Sequence, residues 1–174
     1  MDRKFNLENS GNTESIINIE SLKFIDTLNV DIFLKNYKIS NFFKGKFFIK
    51  RLIKKVFKYK LYKTINWNKN FWDKISVVQC KASIKTATNI SEFSNIINKK
   101  FSTKRIKNIL ELKNMIESNN IKLDYPLFIS GDSLNLLNAK VSKNNIYILD
   151  GSRRIIAYLL SGINEINVYL ILEK

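Results

Sequence analysis

Apolar and polar positions change period along this chain, and the changes mark out its elements. Ile146-Tyr147-Ile148-Leu149 is a short continuous apolar run, the mark of a buried strand. After Asp150-Gly151-Ser152, the residues Ile155, Ile156, Leu159 and Leu160 recur at helical spacing, and Ser161-Gly162 closes that helix. Ile166, Val168, Leu170 and Leu172 then alternate with Asn167, Tyr169 and Ile171, which is strand spacing with one apolar exception. The last stretch, 146–174, therefore predicts strand, turn, helix and strand. Upstream, Ile106, Ile109, Leu110 and Ile116 give one face of a helix over Ser102–Asn119, with Ser102 or Thr103 as its cap. Phe93, Ile96 and Ile97 predict a shorter helix over Ser91–Lys99. Strands are expected over Lys74–Lys81 and, opened by Pro126, over Tyr125–Ser130. Gly131–Asn145 is long for a connection, and its Leu134, Leu136, Leu137 and Val141 predict an extra hairpin or lid. Strands interleaved with helices give a small α/β (α+β) domain at 73–174.

Two different stretches precede it. Residues 1–31 hold six acidic and three basic side chains, and the first 14 read as a mobile tail. Within this part Ile16, Ile17, Ile19, Leu22, Phe24 and Ile25 suggest one short element that docks on a partner or on the core. Residues 32–72 contain no acidic residue, and Lys35–Lys63 alone carries eleven lysines and arginines. Ile49, Leu52, Ile53 and Val56 share one helical face there, and Lys50, Arg51, Lys54, Lys55 and Lys58 the other. That pattern fits an N-terminal basic amphipathic helical extension. Three readings of it are open. It could lie on an anionic membrane surface, clasp nucleic acid, or pack its apolar face on the domain with its lysines solvated. Trp67, Phe71 and Trp72 read as anchors joining it to the core.

Composition narrows the function classes. The 174 residues carry a net charge of +15, which points to a polyanionic partner reached through residues 35–63. A single cysteine, Cys80, excludes an internal disulfide and fits a reducing compartment. It falls in an apolar strand pattern as a small hydrophobe. With no histidine, a structural zinc site is not expected. No run of 18 apolar residues appears, and the polar start has no apolar signal core. The expected location is the cytoplasm, at its periphery the inner face of the membrane. Walker-type loops, GxGxxG and nucleophile elbows are absent from the sequence.

The candidate chemistry lies in the turn Asp150-Gly151-Ser152-Arg153-Arg154. A helix start offers unpaired N–H groups and a partial positive charge. Cations are unfavourable there unless an anion balances them, and Gly151 lets an anion approach the backbone. Turn, helix start and two guanidinium forks make a phosphate or carboxylate site. Lys104 and Arg105 open another helix in the same unfavourable way. Asp132 and Asp150 are the carboxylates best placed to hold Mg²⁺ or accept a proton. The alternative is that these cations are solvated, or pair with Asp150 and Glu165.

Leu149-Asp150-Gly151-Ser152-Arg153-Arg154, a helix carrying Ala157, Gly162 and a closing strand resembles the signature of the ParB/sulfiredoxin-like superfamily. Glu111-Leu112, Ile116, Asn120-Ile121 and Tyr125-Pro126-Leu127-Phe128-Ile129 look like that family's helix and Pro-led strand. The resemblance covers about residues 75–174. It implies a mixed-sheet domain whose turn binds nucleotide phosphates. Members include CTP-binding partition proteins, sulfiredoxins that phosphorylate a sulfinate with ATP, and kinases of free serine. Gly151 and Arg154 match best, Asp150 and Arg153 match some branches, and Arg105 matches a basic residue that faces the nucleotide. This chain departs at Ser152, where sulfiredoxins have a catalytic Cys and partition proteins a Glu. It also has Ile156 where partition proteins have a further Arg.

The resemblance implies a binding set of Gly151, Ser152, Arg153, Arg154 and Arg105, with Asp150 and Ser152 as catalytic candidates and Asp150 as the metal ligand. The ligand is then a nucleoside triphosphate, ATP or CTP, with Mg²⁺. The function expected is phosphoryl transfer to a small molecule, as in a kinase, or a nucleotide-controlled switch. A non-catalytic, partition-like nucleic-acid-binding protein is the rival, although no helix-turn-helix follows the last strand. A membrane-peripheral accessory protein that keeps the fold without activity is the third reading. Arg154→Ala is expected to abolish binding, and Arg153→Ala to weaken it, with the fold intact.

Overall fold

The computed structural model describes residues 17–37, 49–54, 69–118 and 123–174. Five strands, β1 (Ile17–Leu28), β2 (Ile75–Thr86), β3 (Leu127–Ser130), β4 (Ile146–Asp150) and β5 (Glu165–Glu173), form one mixed sheet in the order β1-β2-β5-β3-β4. The β1–β2, β2–β5 and β3–β4 pairs are antiparallel, and β3 runs parallel to β5. The helices are α1 (Val30–Asn36), α2 (Ile90–Lys100), α3 (Thr103–Glu117), α4 (Gly131–Asn135) and α5 (Ser152–Leu160). Residues 49–54 are also helical, and Lys69–Lys74 form a 3₁₀ turn leading into β2.

Alternation along each strand sorts side chains to two faces, and both faces are covered. Val78, Cys80, Ala82 and Ile84 of β2, Phe128 of β3 and Val168 and Leu170 of β5 face a core closed by Phe93, Ile97, Ile109, Ile155, Ile156 and Leu159. These last six come from α2, α3 and α5. On the opposite face, Val77, Leu127, Ile129, Tyr147, Leu149 and Ile171 meet Phe33, Leu34, Ile49, Ile53, Phe71, Leu134 and Leu137. Two buried faces explain why Ile171 breaks the polar alternation of β5.

Capping follows the expected chemistry with one exception. Asn89 caps α2, Ser102 caps α3 and Ser130 caps α4, each accepting a backbone N–H with its side chain. At α5 the cap is Gly151, which has no side chain to offer, so neither Asp150 nor Ser152 caps that helix. The connection 131–145 begins as the single turn α4 and not as a hairpin. It is tied by both ends of the Asn135 amide to Val141, at 2.8 and 2.9 Å.

The sheet starts earlier than the sequence pattern suggests. Residues 17–28 belong to it as β1, and α1 fills the second core, so the domain cannot begin at residue 73. Two register shifts, between Ile19 and Ser21 and between Phe24 and Asp26, break the period of two that would mark a strand. In the basic stretch, Ile49 and Ile53 are fully buried and Leu52 packs against them, while Arg51 and Lys54 face solvent. That part of its apolar face is therefore taken up by the core. Val56, Lys55, Lys58 and Trp67 lie outside the described residues. Among the described residues no helix is long and apolar enough to cross a membrane.

Candidate functional site

The turn predicted from sequence is a sharp junction between β4 and α5. Gly151 has φ +93°, a left-handed conformation that a residue with a Cβ adopts only under strain. A Cβ there would also approach the Pro126 Cα and Cβ to 2.9 Å. Glycine is needed for conformation and for clearance, because the turn is pressed against the start of β3.

The two arginines that follow diverge. Arg154 turns inward and is buried. Its Nη2 lies 2.7 Å from Asp150 Oδ2, and its Nη1 donates to the Asp124 carbonyl in the loop before β3. Asp150 Oδ2 also accepts from the Tyr37 hydroxyl at 3.2 Å. Tyr37 follows α1 and packs with Phe33 and Tyr169, and Tyr169 in turn meets Tyr125. Burial, and then the Asp150 charge, push the Tyr37 phenol far above its usual range. The phenol is therefore a donor to Asp150 at any ordinary pH. Arg154 and Asp150 thus stitch together β4, α5, the loop before β3 and the end of α1.

Arg153 turns outward toward α3. With the Asn108 amide oriented to satisfy both its ends, its oxygen accepts from Arg153 Nη1 at 2.6 Å, and its nitrogen donates to the Lys104 carbonyl at 3.3 Å. Arg105, also on α3, lies within electrostatic reach of Arg153. Its guanidinium carbon sits 3.8 Å from the centroid of the Phe101 ring, and its Nε is buried without a hydrogen-bond partner. Burial, followed by the Arg153 charge, lowers its pKa. Neither α3 nor α5 has an acidic residue in its first turn. Arg153 and Arg105, near two helix starts, therefore lie within electrostatic reach of each other, and among the described residues no carboxylate pairs with either.

The expected site residues thus divide into two groups. Gly151, Ser152, Arg153 and Arg105 lie around the α3–α5 contact, with Ser152 partly exposed at the start of α5. Asp150 and Arg154 form a largely buried pair at the back of the turn. The proposed metal ligand Asp150 is engaged by Arg154 and Tyr37, and Asp132 lies 4.0 Å from Lys143. Among the described residues no group of three or more His, Cys, Asp or Glu gathers to hold a metal ion. Cys80 is buried in the first core, away from the turn, and burial raises its pKa.

Sequence reasoning did not single out Tyr37, Asn108, Phe101 or the Asp124 carbonyl. Tyr37 and Asp150 are 113 residues apart, so nothing local signals their contact. Asn108 has no local signal either, since its helical neighbours are Lys104, Arg105, Glu111 and Leu112. No protein-family model matches this chain, and neither curated proteins nor solved structures give a match to it.

Proposed function

We propose that the Gly151–Arg154 turn, completed by Arg105 of α3, binds the phosphates of a nucleotide, in the manner of the ParB/sulfiredoxin-like superfamily that the sequence resembles. The observation carrying this reading is that Arg153 and Arg105 face each other near two helix starts, with no carboxylate paired to either among the described residues. Such a grouping of like charges costs energy unless an anion joins it, and guanidinium forks suit phosphate oxygens. The backbone amides after Gly151, at a helix start without a side-chain cap, supply further donors.

In this reading Arg153 and Arg105 hold phosphate oxygens, and Arg154 fixes the shape of the turn from behind. Ser152 stands at the helix start, where its hydroxyl can donate to the same phosphate. ATP or CTP with Mg²⁺ is the ligand class. Phosphoryl transfer would require Asp150 to leave Arg154 and Tyr37 before it could hold Mg²⁺ or orient an acceptor. The present pairing of Asp150 favours nucleotide binding that switches the protein over turnover. The setting is the cytoplasm, and the basic stretch 35–63 directs the protein to a polyanion, at the inner membrane face or on nucleic acid.

Isothermal titration against ATP, ADP, CTP and GTP, with and without Mg²⁺, tests the reading. At least one nucleotide should bind, and Arg153→Ala and Arg105→Ala should each weaken it by about 1.5–3 kcal/mol, the loss expected for a charge-assisted hydrogen bond. Both variants should keep the native melting profile. No binding by the intact chain, or undiminished binding by both variants, would remove the turn from consideration.

A further inference from the structure

A wider charged surface adjoins the turn and adds lysines of α2 and α3 to its arginines. The chain from Phe93 to Leu110 contains no acidic residue, and it folds into the end of α2, the corner at Phe101-Ser102 and the start of α3. Lys99, Lys100, Lys104 and Lys107 are all exposed along it. Among the described residues no carboxylate pairs with these four, nor with Arg105 or Arg153. Some of the molecule's other cations do have carboxylate partners: Lys81 meets Glu165 at 2.7 Å, Lys85 meets Glu20 at 3.6 Å and Lys113 meets Glu117 at 2.6 Å.

We infer that the α2–α3 corner, with Arg153 at its side, is a docking surface for a nucleic-acid strand. Four exposed lysines and two guanidinium groups on one surface form a cationic track wider than one phosphate cluster needs. A strand bearing phosphates at regular intervals can use all of them, whereas a mononucleotide can reach only the arginines. A lipid surface fits less well, because Phe101 and Ile106, the large apolar residues at the corner itself, pack against the first core, and the exposed Leu110 lies further along α3. Arg105 stacked over Phe101 also presents a planar cation held in place, suited to a phosphate. This surface does not depend on the turn's binding a free nucleotide, since the four lysines lie outside the turn.

The test is an anisotropy titration of the full chain with a labelled single-stranded 20-nucleotide probe across a salt series. The corner variant is Lys99→Gln, Lys100→Gln, Lys104→Gln and Lys107→Gln together. A control, Lys23→Gln, Lys35→Gln, Lys54→Gln and Lys74→Gln, removes the same charge from exposed sites elsewhere. The corner variant should lose at least about tenfold in affinity at low salt. Its log–log salt slope should flatten by about 2–3, given about 0.7 per phosphate contact on single strands. The control should lose less than about threefold. Equal losses in the two variants would reduce the effect to net charge and overturn the inference, as would wild-type affinity in the corner variant. Vesicles of anionic lipid provide the last arm. Loss of vesicle binding by the corner variant, with strand binding kept, would assign the surface to lipid instead.

Discussion

At the scale of single residues, Arg153 and Arg154 show how one sequence pair can divide structure from chemistry. Both were legible as cations at a helix start, but the sequence could not say which faced inward. Arg154 is buried against Asp150 and the Asp124 carbonyl, so its removal takes the opposing charge away from a largely buried carboxylate. Breaking a buried pair in this way costs about 3–5 kcal/mol. Arg154→Ala should therefore unfold at markedly lower urea, against the simpler expectation of a folded variant that cannot bind. A urea midpoint matching that of Arg153→Ala would show the pair to be dispensable. The phenol of Tyr37 and the thiol of Cys80 make a second test, in pH. Both are acids whose neutral form is favoured by burial, so both folded pKa values are raised. Such groups contribute stability that is complete below the unfolded pKa and is lost as pH rises toward the folded value. Stability should thus fall from about pH 8.5, where an unfolded thiol ionises, and again from about pH 10, where an unfolded phenol does. Cys80→Ala should remove the first decline, and Tyr37→Phe should lessen the second, to which the raised phenols of Tyr158 and Tyr169 also contribute. Urea midpoints measured from pH 7 to 11 would separate them, and a flat curve in the wild type would discount both.

At the scale of elements, periodicity reads well wherever one clear face is buried. Helices α2, α3 and α5 and strands β2, β4 and β5 stand near their expected positions because apolar spacing and caps agree there. Strand β1 was not legible as a strand. Its bulges shift the register twice, and its second half is an exposed edge where Phe24 and Ile25 face water. Its first half carries the packing: Ile17 and Ile19 are 1% and 2% exposed, against 64% for Phe24. That contrast predicts opposite outcomes from similar truncations. Ile19→Ala should cost about 2–5 kcal/mol, the range for emptying a buried Ile site, and Phe24→Ala within about 0.5 kcal/mol, as for a surface change. Denaturant titration of the two variants gives both numbers. Equal, small effects would mean that β1 pairs with β2 without supporting the core. The candidate site was half legible for a related reason. The turn is local and visible in sequence, but its partners on α1, α3 and the loop before β3 are supplied by topology.

For the whole molecule, the question is how a chain of net charge +15 meets a polyanion. The amphipathic pattern around residues 44–63 allowed lipid insertion through Ile49, Leu52, Ile53 and Val56. The fold instead buries Ile49 and Ile53 completely, so inserting them into a bilayer would mean opening the core on that face of the sheet. Attraction to anionic lipid would then rest on charge without that apolar contribution. Each basic residue near an anionic leaflet contributes about 1 kcal/mol, and the attraction decays over a Debye length of about 10 Å at 0.1 M salt and about 3 Å at 1 M. Flotation with anionic liposomes should therefore recover the protein at low salt and release nearly all of it at 1 M. Ile53→Asn distinguishes the cases more sharply. As a buried residue it should lower the melting temperature whether or not lipid is present, whereas an inserting residue would change flotation and leave the free protein's stability alone. A fraction still bound to liposomes at 1 M salt, lost in a stably folded Ile53→Asn protein, would mean that the stretch leaves the core to enter the membrane.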